Sequence, residues 1–210
     1  RIGACAFQST KNLRRISAGH HTLNIGRDAF SGTAFSQDGE NYTDGILYLD
    51  LRSSNNKVVI SSSDTVKHAY LSDDVVAIVP GAFSAAQGAL ETLSFGKSLT
   101  AVYENTFSSF YMIKRVDYRG TVEDWWKIKF ENYNANPLFC GAELYVDGKA
   151  VTEISTPAFL REVGLSFAGC SSLQKLTVTG NISEIGDYAF LNCKNLTEVI
   201  FSDELGVIGV

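Results

Sequence analysis

The stretch "LQKLTVTGNISEIGDYAFLNC", Leu173 to Cys193, is followed at Leu196 by "LTEVIFSDELGVIG", with apolar residues at the same spacing. Taking Leu173 as zero, Leu176, Val178, Ile182, Ile185 and Phe190 fall at plus 3, 5, 9, 12 and 17. Val66, Leu90, Ile113 and Val151 open segments of the same form, at steps of 24, 23, 38, 22 and 23 residues up to Leu196. At the first five positions of these six segments, 29 of 30 residues are apolar, about twice what the 45% hydrophobic composition alone would supply. Earlier segments are weaker: Leu13, Ile16, Ala18, Ile25 and Phe30 fit, as do Ile46, Leu49, Leu51 and Val58. The steps of 33 residues from Leu13 to Ile46 and 20 from Ile46 to Val66 point to an irregular insert near residues 36–45.

A unit of 22 to 24 residues is too small to bury its own apolar face, so neighbouring units must stack into one continuous core, the arrangement of a solenoid. From plus 3 onward each unit alternates and is rich in β-branched and aromatic residues, which predicts a short strand paired in parallel with its neighbours. The second stretch, as in "IGDYAFLNC", predicts a turn, 3-10 or helical piece with phenylalanine as its core plug, and the glycine after Ile185 suits a tight bend. The expected fold is an α/β repeat solenoid of eight or nine right-handed coils, with a parallel sheet on one face and short helical or 3-10 turns on the other. One solenoid spanning residues 1–210 is expected. The chain starts inside a patterned segment, "RIGACAF", and reads as part of something longer.

The segment 119–154 is irregular. Trp125 takes the slot of Ile185, Phe130 the plug position, and Thr121 with Asp124 makes a capping-box start for a short helix. Asp147-Gly148 between two alternating runs predicts an inserted β-hairpin.

The recurring "AF…C…L" combination, best seen in "ISEIGDYAFLNCKNLTEVIF", resembles the BspA-like leucine-rich repeat, a family of bacterial cell-surface proteins. "YRGTVEDWWKIKF" and "AELYVDGKAVTEI" resemble an interruption common in such proteins. The resemblance implies an extracellular or cell-surface location and a non-enzymatic scaffold that binds a protein or glycan on another cell or matrix, in adhesion or cell–cell interaction. A passive spacer and an accessory region of a larger glycan-acting enzyme are the alternatives. No binding residue carries over from the family.

The residues themselves nominate a face. Side chains between core positions of a strand point outward, which selects Tyr48, Asp50 and Arg52; His68 and Tyr70; Arg115, Asp117 and Arg119; Lys175, Thr177 and Thr179; and Glu198. Stacked, these would make one elongated binding surface, with reversal of Arg115 and Arg119 expected to weaken binding and spare the fold. Trp125 reads as core and Trp126 as an exposed anchor. Cys170 and Cys193 occupy equivalent slots and read as a buried thiol ladder, within disulfide range, while Cys5 and Cys140 lie off that slot. No catalytic motif, cofactor fingerprint or metal-ligand cluster appears, and His20, His21 and His68 read as surface or turn residues. A net charge of −5 argues against nucleic acid as the main partner. No apolar run is long enough to span a membrane. Asn41, Asn181 and Asn195 match the glycosylation acceptor pattern. Ligand and oligomeric state are not written in these residues.

Overall fold

The computed structural model describes residues 1–19, 24–52, 54–179 and 182–201, together with the backbone of 207–208. His20, His21 and Asn181 lie outside the described residues. In the first 65 residues the elements are β1 (Ala18–Gly19), α1 (Ala34–Gln37), β2 (Tyr42–Thr43), β3 (Ile46–Arg52) and β4 (Lys57–Ser62). Next come β5 (His68–Tyr70), β6 (Val75–Ile78), β7 (Thr92–Phe95), β8 (Ala101–Val102) and β9 (Arg115–Tyr118). The interruption holds α2 (Val122–Trp125), β10 (Lys129–Phe130), β11 (Glu143–Val146) and β12 (Lys149–Ala150). After it follow β13 (Glu153–Ser155), β14 (Glu162–Val163), β15 (Lys175–Val178), β16 (Glu184–Ile185), β17 (Glu198–Phe201) and β18 (Val207–Ile208).

Each regular coil contributes two strands, not one. The predicted strand at plus 2 to plus 5 builds a first parallel ladder, β5-β7-β9-β11, and then β13-β15-β17. The stretch around plus 9 to plus 12, for which no strand was expected, builds a second parallel ladder, β4-β6-β8-β10, and then β14-β16-β18. The repeat explains both, because a fixed apolar spacing places Leu93 beside Val116 and Ile78 beside Val102, and the backbones between them fall into hydrogen-bonding range. The turns complete each circuit. In three turns two residues adopt left-handed φ: Asp28, Asn105 and Tyr188 three places after the plus-12 residue, and Gly32, Ser109 and Asn192 two places after the plug. The unit from Val66 keeps only the first, at Gly81, and turns through the 3-10 piece Ser84–Ala86. The unit from Val151 lacks the first of these and closes through a 3-10 turn at Leu165–Phe167, which is why Phe167 comes one residue early.

The bend therefore does not sit at the glycine after the plus-12 isoleucine. At that slot, Gly26 serves close approach: a Cβ on it would lie 2.3 Å from the Ala4 nitrogen of the preceding coil. The plugs form a spine where coils are regular. Phe7 stacks on Phe30 at 5.6 Å and Phe83 on Phe107 at 5.5 Å, while the half-buried Phe190 packs against the same core, which is continuous from Ala18 to Ala189.

The interruption obeys different rules. The expected capping box holds, with Thr121 and Asp124 bonding reciprocally at the start of α2, and Trp125 is fully buried. Phe130 is not the plug: it pairs in register with Val102, because α2 displaces the second ladder by a helical turn. The plug slot falls to Ala135, since Phe107 N–H donates to the Asn134 carbonyl just before it. The same displacement brings Cys140 into the cysteine slot, its Sγ 3.9 Å from the Phe107 carbonyl as Cys193 Sγ is 3.1 Å from that of Phe167. Cys170 and Cys193 are free thiols, and burial pushes Cys140 and Cys193 up to about 12. The hairpin forms about Asp147 and Gly148, both at positive φ, with β11 in the first ladder and the antiparallel β12 ending it. Residues 36–45 are ordered: Thr33 caps α1, a 3-10 turn follows, and β2 pairs antiparallel with β3.

Candidate binding cleft and ladder face

The outward residues are spread over three sheets, not one. Tyr48, Asp50 and Arg52 lie on β3, which runs antiparallel to β4 and parallel to β1, and so belong to the second ladder's sheet. Lys175, Thr177 and Glu198 stand on the separate three-stranded sheet beyond β12. Trp126 is not an anchor: it is 5% exposed, with its ring against Phe167 at 4.6 Å, because the coil containing Phe167 stacks directly on the helical turn.

On the first ladder the arginines are internally committed. Arg119 reaches across coils to the Leu71 carbonyl, to Ser94 Oγ at 2.6 Å and to Asp73 at 3.1 Å, and its guanidinium lies 4.0 Å from the Tyr70 ring centre. Arg115 makes a two-pronged ion pair with Asp117 at 2.7 and 2.8 Å and covers the Tyr145 ring at 3.8 Å. Reversing Arg119 would therefore break inter-coil bonds, contrary to the expectation that the fold would be spared. His68 Nδ1 is 2.9 Å from Thr92 Oγ1. Lys175 pairs with Glu198 at 3.1 Å, and Thr179 donates its N–H to the Thr156 hydroxyl and its hydroxyl to the Thr156 carbonyl. The described glycosylation-pattern asparagines are likewise engaged: Asn41 donates to the Phe35 carbonyl and Asn195 to that of Ser171.

What the structure does bring together is Tyr48, Asp50 and Tyr70. They border a cleft of about 520 Å³ between the β2–β3 hairpin, β4 and the start of the first ladder. Sequence reasoning missed its other walls: Phe35 comes from α1, Glu40, Asn41 and Asp44 from the insert, and Lys57 from β4. The signal for them was the insert itself, since an extra loop beside a solenoid sheet builds a wall. Lys57 Nζ is 2.8 Å from Asp74 and 5.9 Å from the Tyr48 ring centre. Burial would raise the Asp74 pKa, but hydrogen bonds from Lys57 and Ser72 together outweigh it and hold the carboxylate below its usual range. The Tyr48 phenol is pushed up to about 12, first by burial and then by the charges of Asp74 and Asp44. Glu40, Asp44 and Asp50 have no side-chain hydrogen bond or ion pair among the described residues. No group of three or more His, Cys, Asp or Glu among those residues is placed to hold a metal ion. Among the described residues no helix is long and apolar enough to cross a membrane.

Stacked parallel coils, a phenylalanine plug and thiols bonded to the preceding plug's carbonyl define a leucine-rich repeat solenoid. The chain belongs to the BspA type leucine rich repeat family, whose model matches in six copies over residues 1–38, 57–145 and 140–210. Among solved structures it resembles a leucine rich cell surface protein from Faecalibacterium prausnitzii, at 18% identity and a TM-score of 0.42, over 96% of this chain and 51% of that one. It also resembles a leucine-rich repeat protein from Bacteroides ovatus, at 17% identity and a TM-score of 0.40, over 80% of this chain and 55% of that one. The chain thus spans about half the length of these two proteins. The comparison with curated proteins finds no match.

Proposed function

We propose that the chain is a non-enzymatic binding scaffold displayed at a bacterial surface, engaging a protein or glycan of another cell or matrix. Family membership supports the scaffold and the surface location, since such solenoids commonly bind along their exposed faces. The observation that carries the reading is the open, polar cleft, where two tyrosines and three unpaired carboxylates stand beside a rigid two-ladder frame. Unpaired polar side chains on a rigid support are available to a ligand without prior rearrangement. The internal pairing of Arg115, Arg119 and Lys175 favours the second reading, a passive spacer, for the rest of the ladder face.

The test is a screen of the chain against glycan arrays and surface-protein extracts, repeated with Tyr70→Ser and with Lys175→Ser/Glu198→Ser. A partner lost in one of these variants at unchanged melting temperature supports the scaffold. If no partner responds to either variant, the spacer reading stands in its place.

A further inference from the structure

We infer that the cleft seats a lysine or arginine side chain from an extended segment of a protein partner, between Tyr48 and Tyr70 and facing Glu40, Asp44 and Asp50. The inference rests on the scaffold reading above and names its ligand chemistry.

Donors and acceptors are badly unbalanced in this cleft. Its acceptors are the three free carboxylates, and a carboxylate accepts only. Its strongest donors are already spent: Lys57 on Asp74, the Asn41 amide on the Phe35 carbonyl, and the Ser72 hydroxyl on Asp74. The hydroxyls of Thr43, Tyr48 and Tyr70 can donate or accept, so the unmet demand, from three carboxylates, is for a ligand whose groups donate only. Ammonium and guanidinium groups have that property, whereas a neutral sugar hydroxyl both donates and accepts.

Charge agrees with the hydrogen-bond inventory. The lining carries three carboxylates against one lysine, and Asp74 cancels that lysine. The upward push on Tyr48 from Asp74 and Asp44 reports the same negative potential at the cleft wall. A metal ion is a poorer occupant, because the carboxylates line different walls and do not converge as a ligand group.

The walls already show an affinity for cations. Arg119 lies over Tyr70 at 4.0 Å, Lys57 approaches Tyr48, and Arg115 repeats the arrangement on Tyr145 at 3.8 Å. Ring faces attract such groups electrostatically, more so where water is displaced. Tyr70 is 59% exposed, so most of its surface remains open to a partner. A volume of about 520 Å³ exceeds one side chain and leaves room for the backbone on either side of it.

The probe is a fluorescent acetyl-Gly-Lys-Arg-Lys-Gly-amide, titrated by polarisation at low salt, beside the same peptide with norleucine and citrulline in place of lysine and arginine, and beside a panel of neutral oligosaccharides. The variant is Glu40→Gln/Asp44→Asn/Asp50→Asn, which keeps shape and removes charge; asparagine tolerates the positive φ at position 44. A thermal melt confirms its fold. The expected result is saturable binding of the basic peptide only, weakened about tenfold or more in the variant. Equal binding by the variant, binding by the neutral peptide, or binding by oligosaccharides alone overturns the inference. If the basic peptide fails to bind while a surface-extract partner still responds to Lys175→Ser/Glu198→Ser, this inference falls and the scaffold stands. If neither binds, both fall.

Discussion

The coils from Val66 to Tyr118 and the interruption at residues 119–150 stand in one continuous core but are held together by different means. Among the regular coils the inter-coil bonds run chiefly between peptide groups: Tyr103 N–H to the Ile78 carbonyl at 3.0 Å, Arg119 N–H to that of Phe95 at 3.0 Å, and so on along both ladders. At the junction with the coil from Val151 the strand pairing stops on both ladders, since neither β12 with β13 nor β10 with β14 pairs. Side chains add to the few peptide-group bonds that remain, such as Ser171 N–H to the Ala142 carbonyl at 3.1 Å. Trp125 Nε1–H donates to the Ser166 carbonyl at 2.7 Å, and the Asn136 amide donates to the carbonyls of Leu165 at 2.7 Å and Ser166 at 3.1 Å. On the other ladder, Ser172 Oγ accepts from Leu144 N–H at 3.2 Å. Asn136 and Ser166 are buried, so their polar groups must find partners inside the protein. A repeat can thus be interrupted if polar side chains satisfy the backbone groups that the missing strand leaves behind.

The contrast can be broken by substitution. Trp125→Ala should cost about 3–5 kcal/mol, and more than Phe83→Ala in the regular stack, because it removes a plug of core volume and also the bond to Ser166. Urea unfolding of both variants measures this, and a costlier Phe83→Ala would contradict it. Next in size, Asn136→Leu keeps the bulk but leaves the buried Leu138 N–H without its acceptor and takes one of two donors from each of the Leu165 and Ser166 carbonyls, for a loss of about 1–3 kcal/mol. A melting temperature equal to that of the unaltered chain would show that the junction does not depend on this amide. The smallest effect is expected in the regular region, where Thr179→Val removes a hydroxyl bonded to Thr156 but leaves ladder bonds intact, about 1 kcal/mol. A Thr179→Val loss exceeding that of Asn136→Leu would reverse the comparison.

The first ladder was legible because its strands are long enough to alternate: Leu93 and Phe95 point inward while Thr92 and Ser94 do not. The second was not, since strands such as Ala101–Val102 contain two residues, too few for any period to show. Trp126 misled because strand logic places adjacent residues on opposite faces, whereas it ends a helical turn with Phe167 pressed against its outer side. Cys140 was hidden by the helix α2, which shifts the register of everything after it. Of the cleft, Tyr48, Asp50 and Tyr70 were visible as outward residues. Their meeting was not, because β3 reverses direction against β4, and nothing in its apolar spacing marks the reversal.

The antiparallel β12 carries one more consequence. A two-residue return strand offers the next coil no parallel edge on which to zip, so peptide-group coupling past it thins to isolated bonds such as Ser171 N–H to the Ala142 carbonyl at 3.1 Å. Cooperativity across the junction then rests on the shared core and a few bonds, so the indole and amide there bear on whether the finished chain melts as a single unit or as two.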